Sequence, residues 1–251
     1  MSHTPMMGWT HELPPLPTSP ARVLLFVAMR DEAAPIAREL GLDAQGQGLL
    51  GGSAIELVVP GADPALGVDR IGPSYAAWAL TRAISRRRPE LVVNLGTAGG
   101  FESRGLGIAD LVLARDAMFH DARVALAGFD ALARAHTRLS PSDAQLDRLA
   151  SELGARPGLV SSGASLDATD AEVALFAQAR TLAKDMELAA LASVCHAEGL
   201  PLVALKGVTD LVDHAHEGGE PAHEAFARNL ARTSDRLASA APALIRVLVG
   251  E

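Results

Sequence analysis

The feature that most constrains this chain is the alternation of short apolar runs with stretches of helical periodicity. "RVLLFVAM", "SAIELVVPG", "ELVVNLG", "ADLVLARDAMF", "PGLVSSG" and "PLVALKGV" read as strands, several of them apolar throughout and so buried on both faces of a sheet. Between them, "DEAAPIARELG", "PSYAAWALTRAISRR", "SPSDAQLDRLASELG", "DAEVALFAQA" and "DMELAALASVCHAEG" read as helices, and a long Ala-, Leu- and Arg-rich helical pattern runs from Pro221 to Leu248. This alternation predicts an α/β layer structure with a mostly parallel sheet. Ligands in such sheets bind beyond the carboxyl ends of the strands, so the strand ends are where chemistry is to be sought.

Composition narrows the partners. The 251 residues, 49% hydrophobic and without an internal repeat, fit one sizeable core. Residues 1–20, "MSHTPMMGWTHELPPLPTSP", read as a proline-rich extension lacking the basic start and apolar centre of a secretory leader, and residues 21–251 as one domain. A formal net charge of −8 and an aromatic content of 4% leave few phosphate contacts and few stacking platforms, which argues against nucleic acid. No apolar run approaches the ~18 to 20 residues of a membrane span, so a cytoplasmic protein is expected. The single cysteine, Cys195, lies at helical spacing among apolar residues and reads as inert packing.

Four strand ends carry unusual residues. After "RVLLFVAM" come Arg30, Asp31 and Glu32, where a strand turns into a helix and acids also favour the helix dipole. "GTAGG", residues 96–100, either lets the backbone approach a ligand or makes a tight turn. In "KDMELAALASVCHAEGLP", Asp185 can cap a helix that Gly199 closes, which puts Glu187 in its first turn on the apolar stripe of Leu191, Val194 and Cys195. In "LKGVTDLVD", strand alternation sets Lys206, Val208 and Asp210 on one face, with Asp213 beyond as a cap. There Lys206 would lower the pKa of Asp210, unless it pairs with an acid from another element or points away.

Taken in order, "VAMRDEAAP", "NLGTAGGF", "FHDARV", "SSGASLD", "KDMELAA" and "LKGVTDLVD" resemble the 5′-methylthioadenosine nucleosidases, most closely the plant-type branch, as do "VVPGADPALGVDRIG" and "AHEAFARNLAR". The resemblance implies a three-layer α/β nucleoside phosphorylase-like fold with a mixed, mostly parallel central sheet. It implies a homodimer of nucleoside catabolism and methionine salvage that hydrolyses the bond between adenine and a 5-thioribose sugar, of 5′-methylthioadenosine or S-adenosylhomocysteine. By the same resemblance, Glu32 activates water, Asp210 protonates adenine at N7, and Glu187 holds the ribose hydroxyls against Met186. Thr97, Ala98 and Gly99 border the reacting centre with Met29 nearby, Leu166 faces the adenine, and Val124 and Phe129 reach into the neighbouring subunit's alkylthio pocket. The chemistry asks for such a set: breaking an N-glycosidic bond builds positive charge on the sugar and negative charge on the base, so an acid serves the base while a carboxylate aligns water. No metal or redox cofactor is needed.

Three alternatives stay open at this level: a phosphorylase, a futalosine-type hydrolase and a non-catalytic nucleoside-binding or storage protein. Glu32 and Asn94 stand where phosphorylases place basic residues, and a carboxylate there repels phosphate, although Arg30 is close by. Leu188 replaces a small residue and is expected to crowd the sugar site or shift its helix, Ala164 alters the loop holding Leu166, and Ala127 replaces an aromatic. His214, His216 and His223 lie in a Gly-rich acidic stretch without a recognised metal spacing and read as a solvated loop.

Overall fold

A computed structural model describes residues 11–133, 135–214 and 222–251. In chain order the elements are β1 (His11–Glu12), β2 (Arg22–Phe26), α1 (Arg30–Glu39), β3 (Gln47–Leu50), β4 (Ser53–Val58), α2 (Pro73–Arg86) and β5 (Leu91–Gly100). They continue with β6 (Leu111–Phe119), α3 (Phe129–Ala133), β7 (His136–Arg138), α4 (Asp143–Leu153), β8 (Ala155–Ser162), α5 (Asp170–Ala179), β9 (Ala183–Asp185), α6 (Leu188–Glu198), β10 (Leu202–Leu211) and α7 (Ala222–Val249).

The strands form one ten-stranded sheet in the order β1-β7-β6-β8-β9-β5-β2-β4-β3, with β10 pairing both β5 and β6. The mixture is mostly parallel: β2, β4, β5 and β10 run together, whereas β10 meets β6 and β5 meets β9 antiparallel. Strand alternation divides the core in two. Leu24, Phe26, Val92 and Ala204 face α2 and α6, while Val23, Leu25, Val93 and Val203 face α1, α4 and α7. Burial of both faces explains why these strands read as unbroken apolar runs. This is the expected three-layer arrangement.

Local chemistry sets the helix ends. Ser142 and Thr169 cap α4 and α5 through their side chains, and Gly154 and Gly199 close α4 and α6 in the left-handed conformation. Residues 11–13, within the segment expected as an extension, join the sheet: β1 pairs with β7, and Leu13 is buried. Among the described residues, no helix is long and apolar enough to cross a membrane.

Two local departures from the sequence reading shape the site. "GTAGG" is not a turn but the last half of β5. β10 runs past Val208 to Leu211, with a register shift between Val208 and Asp210: Lys206 pairs with Gly96 and Val208 with Ala98, yet Asp210 pairs with Gly99. The extra residue, Thr209, moves Asp210 to the other side of the strand from Lys206. The shared face expected for the two is therefore absent.

Candidate active site

The carboxyl-terminal halves of β5 and β10, the start of α1 and the β9–α6 junction surround an open pocket of about 830 Å³. Met29, Glu32, Thr97, Ala98, Gly99, Leu166, Met186, Glu187 and Asp210 all line it. Residues separated by up to 181 positions thus meet where the carboxyl ends of the parallel strands β2, β5 and β10 abut the short antiparallel β9.

Glu32, the third residue of α1, is buried. Its Oε1 accepts hydrogen bonds from the Thr97 amide at 2.7 Å and the Thr97 hydroxyl at 2.6 Å, and its Oε2 accepts from the Met29 amide at 3.3 Å. Burial raises its pKa, while the Thr97 bonds and the charge of Lys206 oppose the rise. Glu32 and Lys206 face each other over Gly96, where a methyl group would sit 3.7 Å from both Glu32 oxygens and from Lys206 Nζ.

Asp210 is also buried, and its Oδ1 accepts a hydrogen bond from Thr209 Oγ1 at 2.9 Å. Burial raises its pKa, the direction a general acid needs; Thr209 and the charge of Lys184 pull the other way. Gly99 has to be glycine: a methyl there would lie 2.8 Å from Asp210 Oδ2 and 2.7 Å from Val212 Cγ2. Asp213 does different work. Its two carboxylate oxygens accept from the Glu102 and Ser103 amides, both at 2.9 Å, and so cap the short 3-10 helix Glu102–Arg104. These bonds hold its pKa low against its burial.

Glu187 lies just before α6 as its N-cap, not in the first turn. That turn begins at Leu188, whose amide donates to Asp185 Oδ2 at 3.0 Å, so the cap comes from the end of β9. Freed from the helix, the Glu187 carboxylate turns into the pocket and accepts from the Gly72 amide at 2.7 Å. Burial and the neighbouring Asp185 push its pKa to about 7. Leu188 does not crowd the pocket; it is fully buried in the core between α6, α2 and the sheet.

Lys206 finds its partner in Asp185, with Nζ 2.7 Å from Oδ2 and both side chains essentially inaccessible. Ser162 Oγ donates to the other Asp185 oxygen at 2.5 Å and accepts from the Ala189 amide at 2.8 Å. The loop with Leu166 is tied at two points, Asp121 accepting from the Ala164 amide at 2.7 Å and Lys184 donating to the Ser165 and Leu166 carbonyls at 2.5 and 2.9 Å. Arg30 points away to Asp69, 2.5 Å from Nε, and Asn94 donates to the Phe26 carbonyl at 3.2 Å.

Val124 and Phe129 do not reach this chain's pocket. They are 43% and 54% exposed and line a separate apolar depression with Phe119 and Leu132. Ala127 is exposed nearby. Among the described residues, no group of three His, Cys, Asp or Glu could hold a metal ion. His216 and the His214 side chain lie outside the described residues, and His223 is an exposed neighbour of Glu224, 3.9 Å away. Cys195 is fully buried, which pushes its thiol pKa up to about 12.

Sequence reasoning passed over Lys184, Ile71, Thr209 and Phe226, which also line the pocket. A lysine next to an aspartate at the end of an apolar stretch, "LAKDME", was the available signal for Lys184.

Comparison with known proteins gives the family of the chain. The family model of the phosphorylase superfamily matches residues 19–246. A 5′-methylthioadenosine nucleosidase of Arabidopsis thaliana is 35% identical over 242 residues, covering 91% of this chain and 87% of the relative. A 5′-methylthioadenosine/S-adenosylhomocysteine nucleosidase of the same plant is 30% identical, covering 91% and 92%. The solved apo structure of Arabidopsis thaliana 5′-methylthioadenosine nucleosidase superposes with a TM-score of 0.84 at 31% identity, over 93% of this chain and 98% of that one. With relatives this similar along nearly its whole length, and with the three buried carboxylates gathered in one pocket, the chain belongs to the phosphorylase superfamily, in its branch of 5′-methylthioadenosine/S-adenosylhomocysteine nucleosidases.

Proposed function

We propose that this enzyme is an N-glycosyl hydrolase that cleaves 5′-methylthioadenosine to adenine and a 5-thioribose sugar. One observation carries the reading: Glu32 and Asp210, both buried and drawn from opposite ends of the sequence, enter one pocket on either side of the Thr97–Gly99 backbone. Asp210 gives its proton to adenine N7 as the C1′–N9 electron pair leaves with the base. Glu32 takes a proton from the water whose oxygen bonds to C1′. Glu187 accepts hydrogen bonds from the ribose hydroxyls, and Met186 packs against the sugar. Charge-assisted bonds of that kind are worth roughly 1.5 to 3 kcal/mol each.

Water is favoured over phosphate as the attacking group. The position facing C1′ holds the Glu32 carboxylate, Arg30 is committed to Asp69 outside the pocket, and Lys206 is paired with Asp185. S-Adenosylhomocysteine is the second substrate to test, since the second plant relative is named for both nucleosides. We take residues 21–251 as the catalytic domain of a cytoplasmic homodimer in methionine salvage. The exposed Val124, Leu126, Phe129 and Leu132 support the dimer, with Val124 and Phe129 reaching a partner's alkylthio pocket.

The experiment is adenine release from a panel of nucleosides with and without phosphate. Adenine and free sugar are expected, unaffected by phosphate. Sugar 1-phosphate as the main product would make the enzyme a phosphorylase, and tight nucleoside binding without turnover would make it a binding protein.

A further inference from the structure

Lys184 is a buried cation to which the mechanism above gives no part. It sits on β9 opposite Gly99 of β5, and Gly99 is in turn opposite Asp210 of β10. Lys184, Gly99 and Asp210 therefore form one row across three adjacent strands, and residues in such a row share a face of the sheet. The middle position has no side chain, and the Asp210 carboxylate and Val212 fill the space over it. Two of the ammonium hydrogens are accounted for by the consecutive carbonyls of Ser165 and Leu166. The same ion thus fixes the loop that carries Leu166 into the pocket and stands beside Asp210.

The charges around Lys184 come from every side. Burial lowers the pKa of Lys184, and the charges of Asp210, then Glu172 of α5, Asp167 of the loop and Asp185 of β9 oppose that fall. His120, on the segment after β6, is packed against Ser161 and Phe176, and its burial, followed by the charge of Lys184, holds its pKa down against Asp121, Glu172 and Asp185. Around Asp210 itself the influences are burial, Thr209 and Lys184.

Resting on the proposed hydrolysis, we propose that Lys184 is a positioning residue for departure of the base, clamping the Leu166 loop against the pocket while its fixed positive charge stabilises Asp210 as the carboxylate. The balance of the step shows why this matters. The Asp210 O–H bond breaks as the adenine N7–H bond forms, and the C1′–N9 pair passes to the base. The acid, neutral at the start, ends as an anion in a buried site. A cation already in place offsets that anion without any reorganisation.

The test is the pH dependence of kcat and KM for adenine release by wild type, Lys184→Met and Lys184→Arg, beside a thermal melt of each. Lys184→Met should lower kcat roughly 10- to 100-fold, within what a ~1 Å misplacement costs. It should also move the alkaline limb of the kcat profile to higher pH, because Asp210 loses its cation, and raise KM several-fold as the loop loosens. Lys184→Arg should keep the limb in place while raising KM, and it stands as the test if Lys184→Met does not fold. A lower melting temperature with kcat and the limb unchanged in Lys184→Met, or a limb that moves in Lys184→Arg, would overturn the proposal. Absence of adenine release by wild type would instead sink the hydrolase reading.

Discussion

Lys206 and Asp185 form an ion pair of 2.7 Å in which neither side chain is accessible to water. Such a pair is weak evidence for stability as a whole, but breaking it by removing one partner leaves an uncompensated buried charge, which costs roughly 3 to 5 kcal/mol. Asp185 also accepts from Ser162 and from the first amide of α6, so its loss releases three donors together. Asp185→Asn should therefore lower stability by about that amount in denaturant titration, far beyond a surface change. A loss below about 1 kcal/mol would mean that Lys206 is neutral or re-paired.

The two aspartates of "LKGVTDLVD" should separate cleanly. Asp210→Asn keeps shape and the bond from Thr209 but has no proton to give, so kcat should fall by roughly 10² to 10⁴ while binding of a substrate analogue survives. Asp213→Asn should leave most activity and lower stability by about 0.5 to 2 kcal/mol, the range for a cap. The pKa of Asp213 is depressed in the folded protein, so its contribution is present above the ordinary value of 3.8 and is lost as pH falls through the folded value. An inactive Asp213→Asn beside a normal Asp210→Asn would refute the assignment of the acid.

Glu187 gives a pH prediction. Its folded pKa of about 7 lies above the ordinary 4.5, so the folded state holds a proton that the unfolded chain releases. The empty enzyme should lose stability as pH rises from about 4.5 to about 7. Ribose hydroxyls require the ionised form as acceptor. Affinity for a non-hydrolysable analogue should rise with pH up to about 7 and then level off. In Glu187→Gln that slope should vanish and affinity should be weaker throughout. Calorimetric titration of both proteins from pH 5.5 to 8 checks this; an unchanged slope in the variant would assign the proton elsewhere.

Phe129 tests the shared pocket. If it reaches a neighbouring subunit's site, Phe129→Ala should weaken binding of a 5′-alkylthio nucleoside more than binding of free adenine. Equal losses for both ligands, or an active monomer in sedimentation, would count against it.

The layered fold was legible because strands buried on both faces must be apolar throughout, as "RVLLF" and "LVVNL" are. Short strands were not legible. Ala183–Asp185 carries two charges and was partly absorbed into the following helix; only its tertiary partners, the loop carbonyls and Lys206, make those charges tolerable in a sheet. That Glu32 and Asp210 line one pocket was readable from strand ends, whereas the side of β10 on which Asp210 lies was not, because one inserted residue at Thr209 reverses the alternation and leaves no mark in the hydrophobic pattern. The same shift answers the difficulty of Lys206 beside an acid: the lysine acting on Asp210 is Lys184, from a strand too short to be foreseen. The turn of Glu187 into the pocket likewise depends on Asp185 supplying the helix cap in its place.

At the far border of the sheet, β1 is two residues long and lies parallel to β7, the Leu13 amide donates to the Arg138 carbonyl at 3.0 Å, and His11 stacks on His196 of α6 with ring centroids 4.3 Å apart. A chain shortened to residue 21 would bare His136–Arg138 as a fresh strand edge, with amides and carbonyls ready to take on a strand from another molecule. Among the described residues, β1 thus acts as a selvedge: it finishes the fabric in two residues, so that little is left there for a neighbour to pair with. Concentration-dependent turbidity in the shortened chain, and not in the full one, would be the visible sign of its removal.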